Sequence, residues 1–94
     1  MGTRNILTII GAMKKAMSSN AYHKLIEWLK ESRESRGLSM RELGEKINEP
    51  HSFVQKVESM ERRLDVYELV QYCKALDIDP HKAISILEKL STPH

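Results

Sequence analysis

The sequence contains few of the residues that small proteins use for cross-linking or catalysis. Its 94 residues include one cysteine, Cys73, so no disulfide can form within the chain and a reducing compartment is expected. The four histidines, His23, His51, His81 and His94, are not at metal-ligand spacing, and there is no glycine-rich phosphate loop. Catalysis needs a nucleophile with a base, paired carboxylates or a metal cluster. We therefore expect no enzymatic activity, no metal and no cofactor.

The sequence also lacks a long apolar run and a large net charge. Its longest apolar stretch, Ile6 to Met13, is interrupted by Thr8 and Gly11, which leaves it too short to cross a bilayer. The Lys14-Lys15 pair directly after it argues against a signal peptide, so we expect a cytoplasmic protein without membrane contact. The net charge of +2 does not by itself indicate a nucleic-acid partner, and any basic surface must be local.

The length suits one small domain, and the hydropathy pattern separates an N-terminal arm, residues 1–18, from a helical domain, residues 19–94. The arm contains the strand-prone segment Ile6–Ile10. Two interpretations of the arm stay open. It is either a leader without a structural role, since Met13 and Met17 could each serve as a start, or an arm that packs on a second subunit.

The stretch from Leu38 to Asp65 predicts two short helices joined by a tight turn. Ser39 followed by Glu42 has the spacing of a capping box, which opens the first of these helices. Asn48 and Pro50 then break the pattern, because asparagine tolerates a left-handed backbone and proline favours the start of a new helix.

The second of these helices has one apolar and one polar face. Val54 and Val57 fall on the inner face at helical spacing. The outer face carries side chains that can read base edges or bind phosphates: His51, Ser52, Gln55 and Lys56.

Helices are also predicted before and after this pair. The first runs from Ser19 or Asn20 to Arg36. A fourth opens with a second capping box, in which Glu68 follows Asp65 by three residues, and a fifth covers His81–Leu90. The residues predicted to form the buried face of the fourth helix are Val66, Leu69, Val70, Cys73 and Leu76.

The predicted helical domain resembles the Cro-like phage-repressor (xenobiotic-response-element) family of helix-turn-helix regulators. The resemblance runs without a gap from Leu25 to Leu90, and the run SFVQKVE followed by ERRLDV looks like one branch of the family. The chain departs from the family pattern at three positions. Asn48 replaces the turn glycine, Met60 replaces a usual glycine after the second helix of the pair, and Met40 replaces a frequent glutamine.

The resemblance implies an all-α, five-helix DNA-binding domain, with the second helix of the pair in the major groove of double-stranded DNA. It implies an ion pair between Arg33 and Glu58. It places base contacts at His51, Ser52 and Lys56, with Gln55 adjacent. It places a phosphate contact at the position of Met40. Arg62 and Arg63, just past the second helix of the pair, are themselves suited to phosphates, and Arg41 or Lys46 on the first helix could assist.

The fifth helix carries apolar residues on more than one face, so a second subunit is the simplest partner for the surplus, with Ile84, Leu87 and Leu90 near the interface. The resulting interpretation is a sequence-specific transcription regulator, a repressor, that binds a pseudo-palindromic operator as a homodimer. The alternative is an antitoxin-like or phage-derived interaction module, in which the arm and the fifth helix bind a protein partner.

Overall fold

The computed structural model describes residues 20–90, and all the regular structure in this range is helical. The five helices are α1 (Asn20–Ser35), α2 (Met40–Lys46), α3 (His51–Glu58), α4 (Val66–Leu76) and α5 (Pro80–Leu90). The predicted all-α, five-helix fold is confirmed. The predicted arm, residues 1–18, lies outside the described residues.

The helices enclose one apolar core, to which each of them contributes. α1 packs chiefly against α5, and α2 packs against α3. The largest fully buried side chains are Leu29, Leu43, Val54, Val57, Tyr72, Cys73 and Leu76, and α5 contributes the smaller Ala83. Since α2 and α3 bury their inner faces here, the outer face of α3 is held at the surface in a fixed orientation.

Side-chain and backbone caps set the helix ends. Ser39 Oγ accepts from the Glu42 N–H at 3.0 Å, and the Glu42 carboxylate accepts from the Ser39 N–H at 2.8 Å. The same reciprocal pattern joins Asp65 and Glu68, at 2.7 and 3.0 Å. Both predicted capping boxes are therefore present.

Three helix boundaries differ from the prediction by one residue. α1 ends at Ser35, because the chain turns before Arg36 and reaches Gly37 with a φ of 69°. Pro50 is the N-cap of α3 and not its first residue, whereas Pro80 is the first residue of α5.

The predicted buried face of α4 is wrong at Val66, which is 76% exposed. Val66 is the first residue of the helix, beyond the edge of the core. Val70 is half-buried, and the enclosed position goes to Tyr72, which is 0% exposed. The stripe of α4 that faces the core is Leu69, Tyr72, Cys73 and Leu76, with the spacing of a single helical face.

Candidate nucleic-acid interface

The outer face of α3 is formed by four exposed polar side chains. His51 and Ser52 lie in the first turn, and Gln55 and Lys56 follow one turn later on the same side. The opposite face buries Phe53, Val54 and Val57 in the core. All four side chains predicted to contact bases therefore share one solvent-facing surface, and α3 cannot rotate without exposing its apolar residues.

The turn between α2 and α3 brings the two helices unusually close. Asn48 takes the left-handed backbone conformation with a φ of 60°. A Cβ atom at Gly44 would lie 2.6 Å from the Glu49 carbonyl oxygen and 3.2 Å from that of Pro50. A Cβ atom does not fit at that distance, so this turn depends on glycine at position 44.

A buried ion pair joins the C-terminal end of α3 to α1. Arg33 Nε donates to Glu58 Oε2 at 2.6 Å and Nη2 donates to Oε1 at 3.0 Å, while Nη1 donates to the Leu38 carbonyl at 2.7 Å. The two side chains are 9% and 4% exposed. The hydrogen bonds to Glu58 raise the pKa of Arg33. A buried charge pair with such geometry fixes the end of α3.

Tyr72 lies beside this pair, and sequence reasoning did not single it out. Its hydroxyl is fully buried and makes no hydrogen bond within residues 20–90. Burial raises its pKa, and the nearby Glu58 carboxylate raises it further. Its aromatic ring fits the apolar pattern of α4, but no pattern in the sequence signals a hydroxyl without a partner.

Arg62, predicted as a phosphate contact, is held by groups of the protein itself. Nη1 and Nη2 donate to the two carboxylate oxygens of Glu68 at 2.8 and 2.9 Å. Nη1 also donates to the Arg63 carbonyl at 3.0 Å, and the guanidinium carbon lies 4.6 Å from the centroid of the Phe53 ring. The capping-box spacing singled out Glu68, but not this second role.

The other positions predicted to contact phosphates differ in what they offer. Arg41 and Arg63 are exposed, as is Lys46 at the end of α2. Met40 is half-buried and packs against the core. Because a thioether has no hydrogen to donate, only the backbone N–H of Met40 could hydrogen-bond a phosphate.

An apolar surface lies on the α4–α5 side of the domain. A groove of about 340 Å³ is lined by α1, the start of α4 and α5, including Val66, Ile84 and Leu87. Ile84 is 50% exposed and Leu90 is 43% exposed, whereas Leu87 packs partly on the core. The three predicted interface residues are therefore all at least partly accessible, and two of them are markedly exposed.

Within residues 20–90, no group of three or more histidine, cysteine, aspartate or glutamate side chains could hold a metal ion. Cys73 is buried in the core, and this burial raises the pKa of its thiol to about 11. None of the helices in this range is long and apolar enough to cross a membrane.

Comparison with known proteins places this geometry in a family. The helix-turn-helix family model HTH_3 matches residues 29–82, more than half of the chain. A solved structure of an XRE-family like protein from Pseudomonas syringae pv. tomato str. DC3000 is 36% identical, with a TM-score of 0.73. The match covers 86% of this chain and 98% of that one. The comparison with curated proteins gave no match. The resemblance stated from the sequence is confirmed.

Proposed function

Since the chain belongs to the XRE-like helix-turn-helix family of DNA-binding transcription regulators, we propose that it is a sequence-specific repressor that binds a pseudo-palindromic operator as a homodimer. The observation that carries this proposal is the outer face of α3, where four polar side chains lie together above a buried apolar face. Such a helix fits the major groove with its first turns against base edges. We place its action in the cytoplasm.

Each side chain of the outer face has a chemistry that suits base recognition. Lys56 can donate to guanine O6 or N7, and the Gln55 amide can bond adenine through two atoms. His51 and Ser52 lie in the first turn, the part that a recognition helix directs at base edges. Arg41, Arg63 and the backbone N–H of Met40 are the proposed phosphate contacts, which fix the register but carry no sequence information.

The apolar surface supports the homodimer. Ile84 and Leu90 are large aliphatic side chains left in water, and Ile84 borders two apolar grooves, of about 340 and 260 Å³. A second copy that covers this surface would remove it from water and double the number of base contacts. In such a dimer the two α3 helices would lie about 34 Å apart, one turn of DNA.

Selection of sites from a random duplex library, followed by titration of the selected and scrambled duplexes, tests the proposal. We expect a selected site with two related half-sites, and reduced expression of a reporter placed behind it. Sedimentation at micromolar concentration should give a dimer, and Ile84→Asp should give a folded monomer with weaker operator binding.

The apolar surface also favours one alternative function, an interaction module that binds a protein partner. That function predicts no enrichment of any sequence in the duplex selection and no salt-dependent binding of duplex DNA. Either result would overturn the repressor proposal.

A further inference from the structure

We propose that Glu68 acts as an internal substitute for a DNA phosphate, which holds the Arg62 guanidinium and so weakens binding to DNA of every sequence. This inference rests on the proposed DNA-binding function. It concerns how tightly the chain binds DNA of any sequence, and it assigns to Arg62 a role different from that of an ordinary phosphate contact.

The geometry of the pair is that of an arginine bound to an oxyanion. Nη1 and Nη2 each donate to a different oxygen of Glu68, at 2.8 and 2.9 Å. This two-point arrangement is the one by which arginine binds phosphate. A further Nη1 hydrogen is donated to the Arg63 carbonyl, so three of the five N–H donors of Arg62 have partners in the protein.

Both partners are held in place by other contacts. The guanidinium of Arg62 lies over the ring of Phe53, which is itself buried. The Glu68 carboxylate accepts from the Asp65 N–H as part of the capping box of α4. Turning Arg62 toward DNA would therefore disrupt the ion pair and the ring contact together. The Glu68 carboxylate could move with Arg62 only by giving up its hydrogen bond from the Asp65 N–H.

The charges around Arg62 also disfavour a phosphate. The pKa of Arg62 is raised, chiefly by its hydrogen bonds to Glu68 and additionally by the nearby carboxylates of Glu68, Glu49 and Asp65. A phosphate brought to this guanidinium would meet those carboxylates as like charges. Because non-specific affinity comes from cations that replace counterions of the DNA, an arginine already neutralised by the protein adds little to it.

The consequence is weaker binding to DNA of every sequence. Base contacts from the outer face of α3 do not involve Arg62, so neutralising this arginine lowers the affinity for all DNA without lowering the preference for the operator. If Glu68 instead oriented Arg62 toward a phosphate, loss of the carboxylate would weaken binding. The two roles therefore predict opposite changes in DNA affinity when the Glu68 carboxylate is removed.

The experiment compares the wild-type 94-residue chain with Glu68→Gln, Arg62→Gln and the double variant, across a salt series on selected and scrambled duplexes. Glutamine retains an acceptor for the capping box, and urea unfolding confirms that each variant is folded. Glu61→Gln is the matched control, because Glu61 lies next to Arg62 in the α3–α4 connection and its carboxylate accepts a hydrogen bond from Ser59, not from Arg62. It removes the same charge without releasing the arginine.

We expect the slope of log affinity against log salt for Glu68→Gln to become more negative by about 0.9 per subunit. For one subunit on one half-site, this change in slope means that the ratio of Glu68→Gln affinity to wild-type affinity is about 3.5-fold larger at 50 mM than at 200 mM salt. The ratio of selected to scrambled affinity should stay unchanged, because the released arginine would contact phosphates on both duplexes. Arg62→Gln and the double variant should keep the wild-type slope, and Glu61→Gln should change it less than Glu68→Gln does.

Two results would overturn the inference while leaving the DNA-binding function intact: an unchanged slope in Glu68→Gln, or a reduced slope in Arg62→Gln. Absence of binding by wild type together with binding by Glu68→Gln would support it in its strongest form. Absence of binding by every variant on both duplexes would reject this inference and the proposed function together.

Discussion

Arg33 and Glu58 are 25 positions apart in sequence, yet their charged groups meet in a forked contact, with Nε–Oε2 and Nη2–Oε1 distances of 2.6 and 3.0 Å. Arg33 lies near the end of α1, and Glu58 is the last residue of α3. The pair therefore ties the C-terminal end of the proposed recognition helix to the longest helix of the domain. The hydrogen bond from Arg33 to the Leu38 carbonyl brings the α1–α2 connection into the same contact.

Glu58→Ala should lower the free energy of unfolding by about 3–5 kcal/mol, because it leaves the Arg33 charge buried without its partner. Urea unfolding followed by circular dichroism measures the change. Lys24→Ala is the control, since Lys24 forms an exposed pair with Glu27 at 3.4 Å and such pairs contribute less than about 1 kcal/mol. Equal effects of the two substitutions would contradict the assigned burial of the Arg33 pair.

Gly44→Ala should destabilise the protein by about 1–3 kcal/mol, because the added methyl group would lie 2.6 Å from a backbone oxygen of the turn. The turn must shift to relieve this overlap, and α3 moves with it, so the affinity for the selected duplex should also fall. Unfolding and duplex titration of the same variant measure both effects.

Gly37→Ala separates the loss of stability from the loss of affinity for DNA. Gly37 has a φ of 69° and open space around its Cα, so alanine there costs backbone strain of about 1–2 kcal/mol without displacing a neighbour. We expect lower stability with unchanged affinity for DNA. If Gly44→Ala also leaves affinity unchanged, the turn does not control the position of α3.

Tyr72→Phe should raise the free energy of unfolding by about 1 kcal/mol, since it removes a buried hydroxyl that has no hydrogen-bond partner within residues 20–90. Tyr22→Phe is the matched variant. The Tyr22 hydroxyl accepts from the Leu64 N–H at 3.4 Å, so its removal should cost about 0.5–1.5 kcal/mol. Destabilisation by Tyr72→Phe would show that its hydroxyl forms a hydrogen bond in solution.

Glu68 should make stability depend on acidic pH. The hydrogen bonds from Arg62 lower the pKa of Glu68 below its ordinary value of 4.5, so the folded state favours the ionised carboxylate. This contribution is fully present above the unfolded pKa and is lost as pH falls through the folded pKa. The difference in unfolding free energy between wild type and Glu68→Gln should therefore shrink as pH falls from 5 to 3. In an Arg62→Gln background the same difference should depend less on pH.

Local signals in the sequence were sufficient for the helices and the polar face of α3. Ser39 with Glu42, and Asp65 with Glu68, have capping-box spacing that depends only on neighbours three residues apart. Asn48 takes the left-handed conformation that the sequence suggested for the turn. Met60 takes it too, with a φ of 67°, although the family usually has glycine there.

The features that the sequence did not reveal depend on the path of the chain between helices. The contact of Arg62 with Glu68 and Phe53 requires the α3–α4 connection to fold back, and no spacing rule encodes that path. The exposure of Val66 depends on where the core ends along α4. Helical periodicity identifies the buried face of a helix, but not how far along the helix the burial extends.

Lys56 and Arg63 should differ in what they contribute to DNA binding. Lys56 lies on the outer face of α3, and Arg63 lies beyond its end, where a DNA backbone would pass. Lys56→Ala should cost about 1–3 kcal/mol on the selected duplex and much less on a scrambled one. Arg63→Ala should weaken both about equally and reduce the salt slope by about 0.9 per subunit. Titration of both duplexes across a salt series measures these effects, and an equal loss on both from Lys56→Ala would make Lys56 a phosphate contact.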